Sequence, residues 1–351
     1  MNRSDIVESL KKIIPSARVI TDEQILKDAS VDRFRKYENI CGVYTQPTPA
    51  AIAYVENAGE VSEVLKWASK ESVNIVPRAG ISATEGGLET IIPNSVVLDC
   101  SRMNKIIKID PINMQATGQA GVSLQVLDDQ CRALGLTTGH SPQSKPLALM
   151  GGLTATRSIG QFSTLYGGIE EMIVGLEAVF PNGEIVRIKN VPRRAAGPDI
   201  RHVVIGNEGG LCFITEVTVK LFPFFPENNV FLGYTLDSMK LGFEILREVM
   251  VKGYKPSIAR LYDHEDGAYH FSHFAGDRCV LIFMAEGPAG IAKATGQAIE
   301  AIVAAHPECQ PVDAKHIERW FAHLNWDPKN IAEERVEIKE TQNIGHTTEI
   351  S

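Results

Sequence analysis

Three stretches of the chain concentrate the residue types that let a backbone wrap a polar ligand. The first, Pro77-Arg-Ala-Gly-Ile-Ser-Ala-Thr-Glu-Gly-Gly87, directly follows a strand-like segment. Its small residues allow backbone amides to approach an anion, and Ser82 and Thr84 add hydroxyl donors. An ordinary tight turn has the same composition. The second joins Thr138-Gly-His-Ser-Pro-Gln-Ser-Lys-Pro146 to Met150-Gly-Gly-Leu-Thr-Ala-Thr-Arg-Ser-Ile-Gly160. Its Gly, Ser and Thr suit a large polar cofactor or a plain loop equally well. The third, Gly206-Asn-Glu-Gly-Gly210, comes after Gly197-Pro-Asp199 and just before an alternating strand. The first loop is not GxGxxG and no GxxxxGK[ST] occurs, so neither standard nucleotide motif is supported.

Other clusters point to less. His264, Asp266, His270 and His273 fall within ten residues, but none has HExxH spacing and an Asp-Gly pair interrupts them. They read as pocket or surface histidines, with no metal expected. Arg187, Lys189, Arg193, Arg194 and Arg201 form the main basic group, which fits a solvated face or a single anionic ligand. Several Ser, His and Asp combinations are equally compatible with a nucleophile triad, so spacing selects none. The six cysteines, at 41, 100, 131, 212, 279 and 309, form no CxxC pair and read as reduced thiols.

The elements that must position these loops follow from periodicity. Ile6, Leu10 and Ile13 or Ile14 share one side of a short helix over 5–14. Residues 21–36 read as a polar stretch. Val61, Val64, Leu65 and Ala68 have helical spacing, and strand-like segments follow at 73–77 and 95–99. Short strands at 106–109 and 114–118 lead to a helix capped by Ser123 and closed by Gly135. Asn182-Gly183 turns a hairpin over 174–188. From Phe213 to Leu221 the residues alternate, with Phe213, Thr215, Val217, Val219 and Leu221 on one face and Glu216, Thr218 and Lys220 on the other, which predicts one buried face and one wetter face. Pro223 and Pro226 mark a boundary. Beyond it, strands at 230–235 and 279–285 alternate with helices at 238–251 and 289–305, an antiparallel or mixed layer. The tail from Trp326 is polar, and Asn343–Ser351 does not look like a finished element.

Composition bounds the class. At 351 residues, with 44% hydrophobic and 22% charged, the chain is neither disordered nor low in complexity and is long enough for two domains. Its 35 basic against 43 acidic residues give a net charge of -8, which argues against a nucleic-acid partner. The apolar strip at 280–285 is too short for a transmembrane segment, and the first residues lack a secretory pattern, so a cytoplasmic location is expected.

Taken in order, the three loops resemble the FAD-binding oxidoreductases of the vanillyl-alcohol oxidase and p-cresol methylhydroxylase family, over residues 15–225. The first loop resembles the family's pyrophosphate loop. Met150–Thr156 resembles the second cofactor loop, and Gly206–Glu216 the third, which ends in an Ile-Thr-Glu strand. Thr138-Gly-His140, Thr156-Arg-Ser158, Tyr166–Glu171 and Arg193–Asp199 are most similar to alkyldihydroxyacetonephosphate synthase and its bacterial relatives.

The resemblance implies an α+β fold: a two-subdomain FAD-binding domain of the p-cresol methylhydroxylase type at 1–225, split into about 1–100 and 101–225, then a partial α+β substrate cap at 226–351. For FAD it implies Pro77, Arg78, Ala79, Gly80, Ile81, Ser82 and Ala83 from the first loop. From the second it implies Gly139, His140, Ser141, Gly151, Gly152, Thr154, Ala155, Thr156 and Ser158. From the third it implies Gly206, Glu208, Gly209 and Ile214. Ser257–Asp263 is similar to the cap stretch whose arginine faces the substrate anion, which assigns that role to Arg260; His140 is the candidate base. Ala79 and Ile81 stand where glycines are usual, and the first loop lacks the histidine used for covalent flavin attachment. Noncovalent FAD is therefore expected. Relatives continue past Ser351, which raises a fragment, a homodimer or a complementary C-terminal subunit. The expected reaction is oxidation at a carbon–oxygen centre of a small anionic substrate, a carboxylate such as a D-2-hydroxy acid, or else alkyl-for-acyl exchange on a phosphate ester. A noncatalytic flavin subunit is the third alternative.

Overall fold

The computed structural model describes residues 1–33, 35–193 and 195–341, without the side chains of 37, 334, 335, 338 and 339. Arg194 and Asn343–Ser351, both read above, lie outside the described residues.

The first unit holds α1 (Arg3–Ile13), β1 (Val19–Ile20), α2 (Glu23–Asp28), α3 (Lys36–Ile40), β2 (Ala51–Tyr54), α4 (Ala58–Glu71), β3 (Ile75–Arg78) and β4 (Val96–Asp99). Its sheet runs β1-β2-β4-β3, and β4 pairs in parallel with both β2 and β3. Asn57 caps α4 by accepting the Glu60 amide, and Val61, Val64 and Leu65 pack against Ala51, Ala53, Val96 and Leu98. A short helix, α2, lies inside the stretch read as merely polar: Asp22 caps it and only Leu26 is buried, so it shows no apolar stripe.

The second unit contains β5 (Ile106–Asp110), β6 (Gln115–Gln119), α5 (Leu124–Arg132), β7 (Leu136–Thr137), α6 (Met150–Ala155), α7 (Ser163–Tyr166), α8 (Ile169–Met172), β8 (Ile173–Val179), β9 (Ile185–Ile188), α9 (Arg201–Val204), β10 (Phe213–Lys220) and β11 (Phe222–Pro223). Its antiparallel sheet is ordered β5-β6-β10-β8-β9. The hairpin around Asn182-Gly183 forms, as β8 pairs with β9. Ser123 precedes α5 but makes no side-chain cap bond.

The two-faced reading of β10 needs correction. A bulge between Ile214 and Glu216 breaks the alternation. Ile214 therefore joins Val217 and Val219 in the second core, while Phe213 turns to the first core beside α4. Thr218 is buried as well, its hydroxyl 2.9 Å from that of Thr117.

From Val230 a third, wholly antiparallel sheet is built from β12 (Val230–Leu236), β13 (Ile258–Tyr262), β14 (Cys279–Ala285) and β15 (Gln310–Val312), in the order β13-β14-β12-β15. Around it lie α10 (Met239–Val251), α11 (His264–His270), α12 (Ala289–Ala304), α13 (Ala314–Ala322) and α14 (Pro328–Thr341). The continuous apolar run of β14 is explained by burial on both faces. Leu281 and Phe283 meet α10 and α12, whereas Val280, Ile282 and Met284 meet Ile258, Phe271 and Ile317. The polar tail is helical in α14, without a strong apolar stripe to announce it.

The units are joined by close polar and backbone contacts. The Thr164 hydroxyl lies 2.7 Å from the Pro256 carbonyl, and Tyr166 donates to Glu286. Between the first two sheets the turn after β6 sits hard on the end of β4: a Cβ at Gly121 would fall 2.1 Å from the Cys100 carbonyl oxygen and 2.9 Å from that of Met103. Gly121→Ala should therefore destabilise the protein by about 2 kcal/mol or more. Gly290→Ala, in the first turn of α12 with nothing within 4 Å, should be neutral or slightly stabilising. Differential scanning calorimetry of the two variants checks this.

Candidate functional site

The three loops meet around one cleft of about 520 Å³ between the first two sheets. Residues 77–83 form one wall. Gly151, Gly152, Ala155, Thr156 and Ser158 form a second, and Glu208, Gly209 and Ile214 a third. Backbone bonds hold the walls in register. Gly151 donates to the Ala120 carbonyl at 2.8 Å, and Gly206 and Glu208 donate to Thr154 and Ala155, both at 3.0 Å. The first loop is anchored at its far end by Asp32, which accepts the Gly86 amide, and by the Arg33 amide, which donates to Ala83 at 3.2 Å. At its near end a Cβ on Gly80 would lie 2.2 Å from the Leu147 carbonyl oxygen, so only glycine lets the loop lie this close.

Between these anchors, among the described residues, the amides of residues 80–85 donate to no protein acceptor. A row of unused N–H groups on a loop that lines a cleft is the kind of feature that can take up an anion. The cation bordering the cleft is Arg78, whose Nε is 2.6 Å from Asp99 in a buried pair, and Glu85 and Glu208 also border the space. Any phosphate held here relies on amides and hydroxyls. The residues thus fit a dinucleotide-sized cofactor, with small side chains along the path and donors where charge would lie.

Ile81 is the misfit. It sits at φ +53°, the left-handed region that costs an ordinary L-residue about 1–2 kcal/mol. The position where glycine is usual in the resembled family therefore keeps a glycine-like conformation with a β-branched side chain.

Five of the residues assigned to FAD from the sequence do not line the cleft: Gly139, His140, Ser141, Thr154 and Gly206. His140 lies behind it, buried, with Nε2 3.1 Å from the Ser158 hydroxyl and no partner for Nδ1. Burial, reinforced by nearby Lys145, pushes its pKa down to about 4. An imidazole that resists protonation is a weak proton acceptor near neutral pH, and this one reaches the cleft only through Ser158. Lys145 itself pairs at 2.6 Å with buried Asp128, which also accepts from Thr137 and Thr138. Arg260 stands apart on β13, its guanidinium over the rings of Tyr262 (5.2 Å) and Trp320 (5.8 Å). The histidine group makes ring contacts, with His273 against Phe274 and His316, and no metal cluster occurs among the described residues. The basic group is dispersed: Arg187 pairs with Glu177 and Glu216, and Arg201 with Asp199.

Sequence reasoning missed Cys100, Ser144 and Cys212 on the cleft, and Asp32 behind it. Cys100 directly follows β4, and strand ends that face a glycine loop are a usable signal. Asp32 offers none, because its role depends on a contact 54 residues away.

Comparison with known proteins agrees with this geometry. A family described as an FAD binding domain matches residues 49–189. Over 351 residues the chain is 64% identical to the uncharacterized FAD-linked oxidoreductase YgcU of Escherichia coli (strain K12), covering 100% of this chain and 72% of that protein. The chain belongs to the FAD-linked oxidoreductases. This FAD-linked oxidoreductase is also 30% identical over 225 residues to a D-2-hydroxyglutarate dehydrogenase of Xanthomonas citri pv. viticola, 64% of this chain and 46% of that one. A solved alkyldihydroxyacetonephosphate synthase superposes with a TM-score of 0.77 at 24% identity, over 97% of this chain and 64% of that chain, which shows a shared fold. The α+β class with a p-cresol methylhydroxylase-type FAD-binding domain is the one found. No helix among the described residues is long and apolar enough to cross a membrane.

Two outcomes are expected. Because the folded-state pKa of His140 lies below the unfolded value of 6.5, the unfolded chain binds the extra proton between the two. Stability should then rise from about pH 4 to about pH 6.5 by as much as about 3 kcal/mol and be lost on acidification. His140→Gln should flatten that slope in urea titrations at several pH values. Ile81→Gly should be no less stable than wild type, and up to about 1 kcal/mol more stable, whereas Ile81→Val keeps the strain and gains nothing; thermal melts of both variants decide.

Proposed function

We propose that this chain carries the flavin site and part of the substrate site of an enzyme that oxidises a small D-2-hydroxy acid. The observation that carries the reading is the cleft itself, with a row of unused amides on the first loop and two further loops closing on it. Bound FAD supplies the two-electron acceptor for oxidation at a carbon bearing oxygen. The loop amides and the Ser82 and Thr84 hydroxyls would hold its phosphates, and residues 208–214 would take the far end of the cofactor.

Noncovalent attachment fits the chemistry of the walls. Among the described residues neither His nor Tyr borders the cleft, and its two thiols are poor nucleophiles. Burial drives the Cys100 pKa far up and the Cys212 pKa to about 11, leaving both protonated near neutral pH. Arg260 is proposed to receive the substrate carboxylate. Its planar fork is stacked by two rings, and among the described residues no carboxylate pairs with it. His140 acts as a positioning residue, fixing the Ser158 hydroxyl at the cleft wall. A cytoplasmic location and a small anionic substrate belong to the same proposal.

The test is direct. Protein mixed with FAD and desalted should keep visible flavin absorbance at close to one flavin per chain, and the colour should leave on acid precipitation as free FAD. A well-folded sample retaining none would overturn the reading. Arg260→Lys should keep the flavin while raising KM for a 2-hydroxy acid by roughly ten- to a hundredfold, because the bidentate fork is lost.

A further inference from the structure

The third sheet meets the second unit across a small polar junction at α7. Thr164 donates its hydroxyl toward the Pro256 and Ser257 carbonyls, at 2.7 and 2.9 Å. Tyr166 donates to Glu286, the residue directly after β14. The two sides of this second contact are held by different units. The Tyr166 ring lies 4.6 Å from that of Phe222 and rests on Gly139, where a Cβ would fall 2.7 Å from its Cγ. Glu286 belongs to the sheet that also carries Arg260.

The Thr164 contacts hold no titrating group, whereas the Tyr166 contact ends on a carboxyl. Glu286 is half-buried, and its hydrogen-bonding neighbours are two hydroxyls, those of Tyr166 and of Ser257 just before β13. The Ser257 hydroxyl also serves the Met284 carbonyl, at 3.1 Å. Among the described residues no Lys, Arg or His pairs with Glu286. The charged groups that face it come from α5. Arg132 favours the carboxylate but lies 2.7 Å from Asp128 and over the Phe224 ring at 4.5 Å, and Asp128 opposes the carboxylate. A carboxylate that gives up water for hydroxyls without a paired cation is under-compensated. Burial is accordingly the largest influence and holds the Glu286 pKa above its ordinary 4.5. Tyr166 is pushed upward too, by burial and then by Glu286, so its hydroxyl remains a donor through neutral pH.

We propose that Glu286 is a pH-sensitive latch: the junction between the third sheet and α7 is tightest when its carboxyl is protonated and loosens as the carboxyl ionises. Proton linkage fixes the direction. The folded carboxyl binds its proton more tightly than the free one, so the contact has its full strength below about pH 4.5 and loses it as the pH rises through the folded value. His140 acts in the opposite direction, adding stability as the pH rises from about 4 to about 6.5. The latch does not rest on the flavin reading, because neither Tyr166 nor Glu286 lines the cleft.

Hydrogen exchange of the whole chain, read by mass spectrometry and corrected for the intrinsic rate at each pH, tests the latch. The reporters are the α7 amides, among them Tyr166, bonded to the Phe162 carbonyl at 3.0 Å, and Gly167, bonded to that of Ser163 at 2.9 Å. Between about pH 5 and about pH 8 their protection in wild type should fall at least about threefold relative to Glu286→Gln, because each unit of upward pKa displacement is a factor of ten in the opening equilibrium. Peptides from α4, in the first unit, should show the same pH dependence in both proteins, which separates the latch from His140 and from global unfolding. Tyr166→Phe removes one donor and keeps the carboxyl, so it should deepen the fall; either folded variant decides by itself. Parallel α7 curves for wild type and Glu286→Gln, a difference as large in α4 as in α7, or a fall in Tyr166→Phe no deeper than in wild type would each overturn the proposal.

Discussion

The contact on which the rest of the arrangement depends is backbone against backbone, where the turn at Gly121 meets the end of β4 at Cys100 and Met103. The mixed first sheet and the antiparallel second sheet share no ladder here, so they are fixed to each other by side-chain packing and by such direct approach. Here both operate: Phe213 and Val179 from the second sheet enter the core of the first. Once Ala120 is placed by this junction it accepts the Gly151 amide, which sets α6, and α6 in turn accepts the third loop through Thr154 and Ala155. The cleft walls are therefore successive links of one chain of short contacts.

That rigidity explains how the first loop can leave its amides unused. Unsatisfied backbone donors beside a wall are costly unless water or a ligand takes them. A loop free to move would turn them inward. Anchors at Gly80, Ala83 and Gly86 remove that freedom, and they also account for Ile81, whose left-handed backbone persists because the surrounding structure over-determines it. Strain and unused donors are two consequences of one constraint, and both are the kind of local cost that ligand contacts offset.

Much of this was legible in the sequence because it is local. Helical spacing in α4, the Asn-Gly hairpin between β8 and β9 and the glycine-bearing loops are patterns within a few residues. What failed depends on contacts between distant residues. The bulge in β10 cannot be seen in its own alternation, since Thr215 satisfies its hydroxyl on Glu177, 38 positions away. Helices α2 and α14 bury too little for a stripe to show. The candidate site divides the same way: residues 77–83 were readable as a loop, whereas His140 looked like a cleft residue and proves to stand one side chain behind it.

The junction with the third sheet follows a different physical rule from the cleft. Tyr166 and Glu286 meet where both are half-buried, and the loss of solvent pushes the pKa of each upward. The Tyr166 hydroxyl donates to the Glu286 carboxyl group. Phe222 packs on the Tyr166 ring at 4.6 Å, and Phe162, four residues before, enters the core under β14. The segment carrying these residues begins immediately after Ser158 on the cleft wall, and Ser158 accepts the Ile169 amide at 3.1 Å. The same short segment therefore links the core under β14 to the serine whose hydroxyl lies beside His140. One loop, held by an aromatic at one end and a serine at the other, is thus shared by the third sheet and the cleft wall.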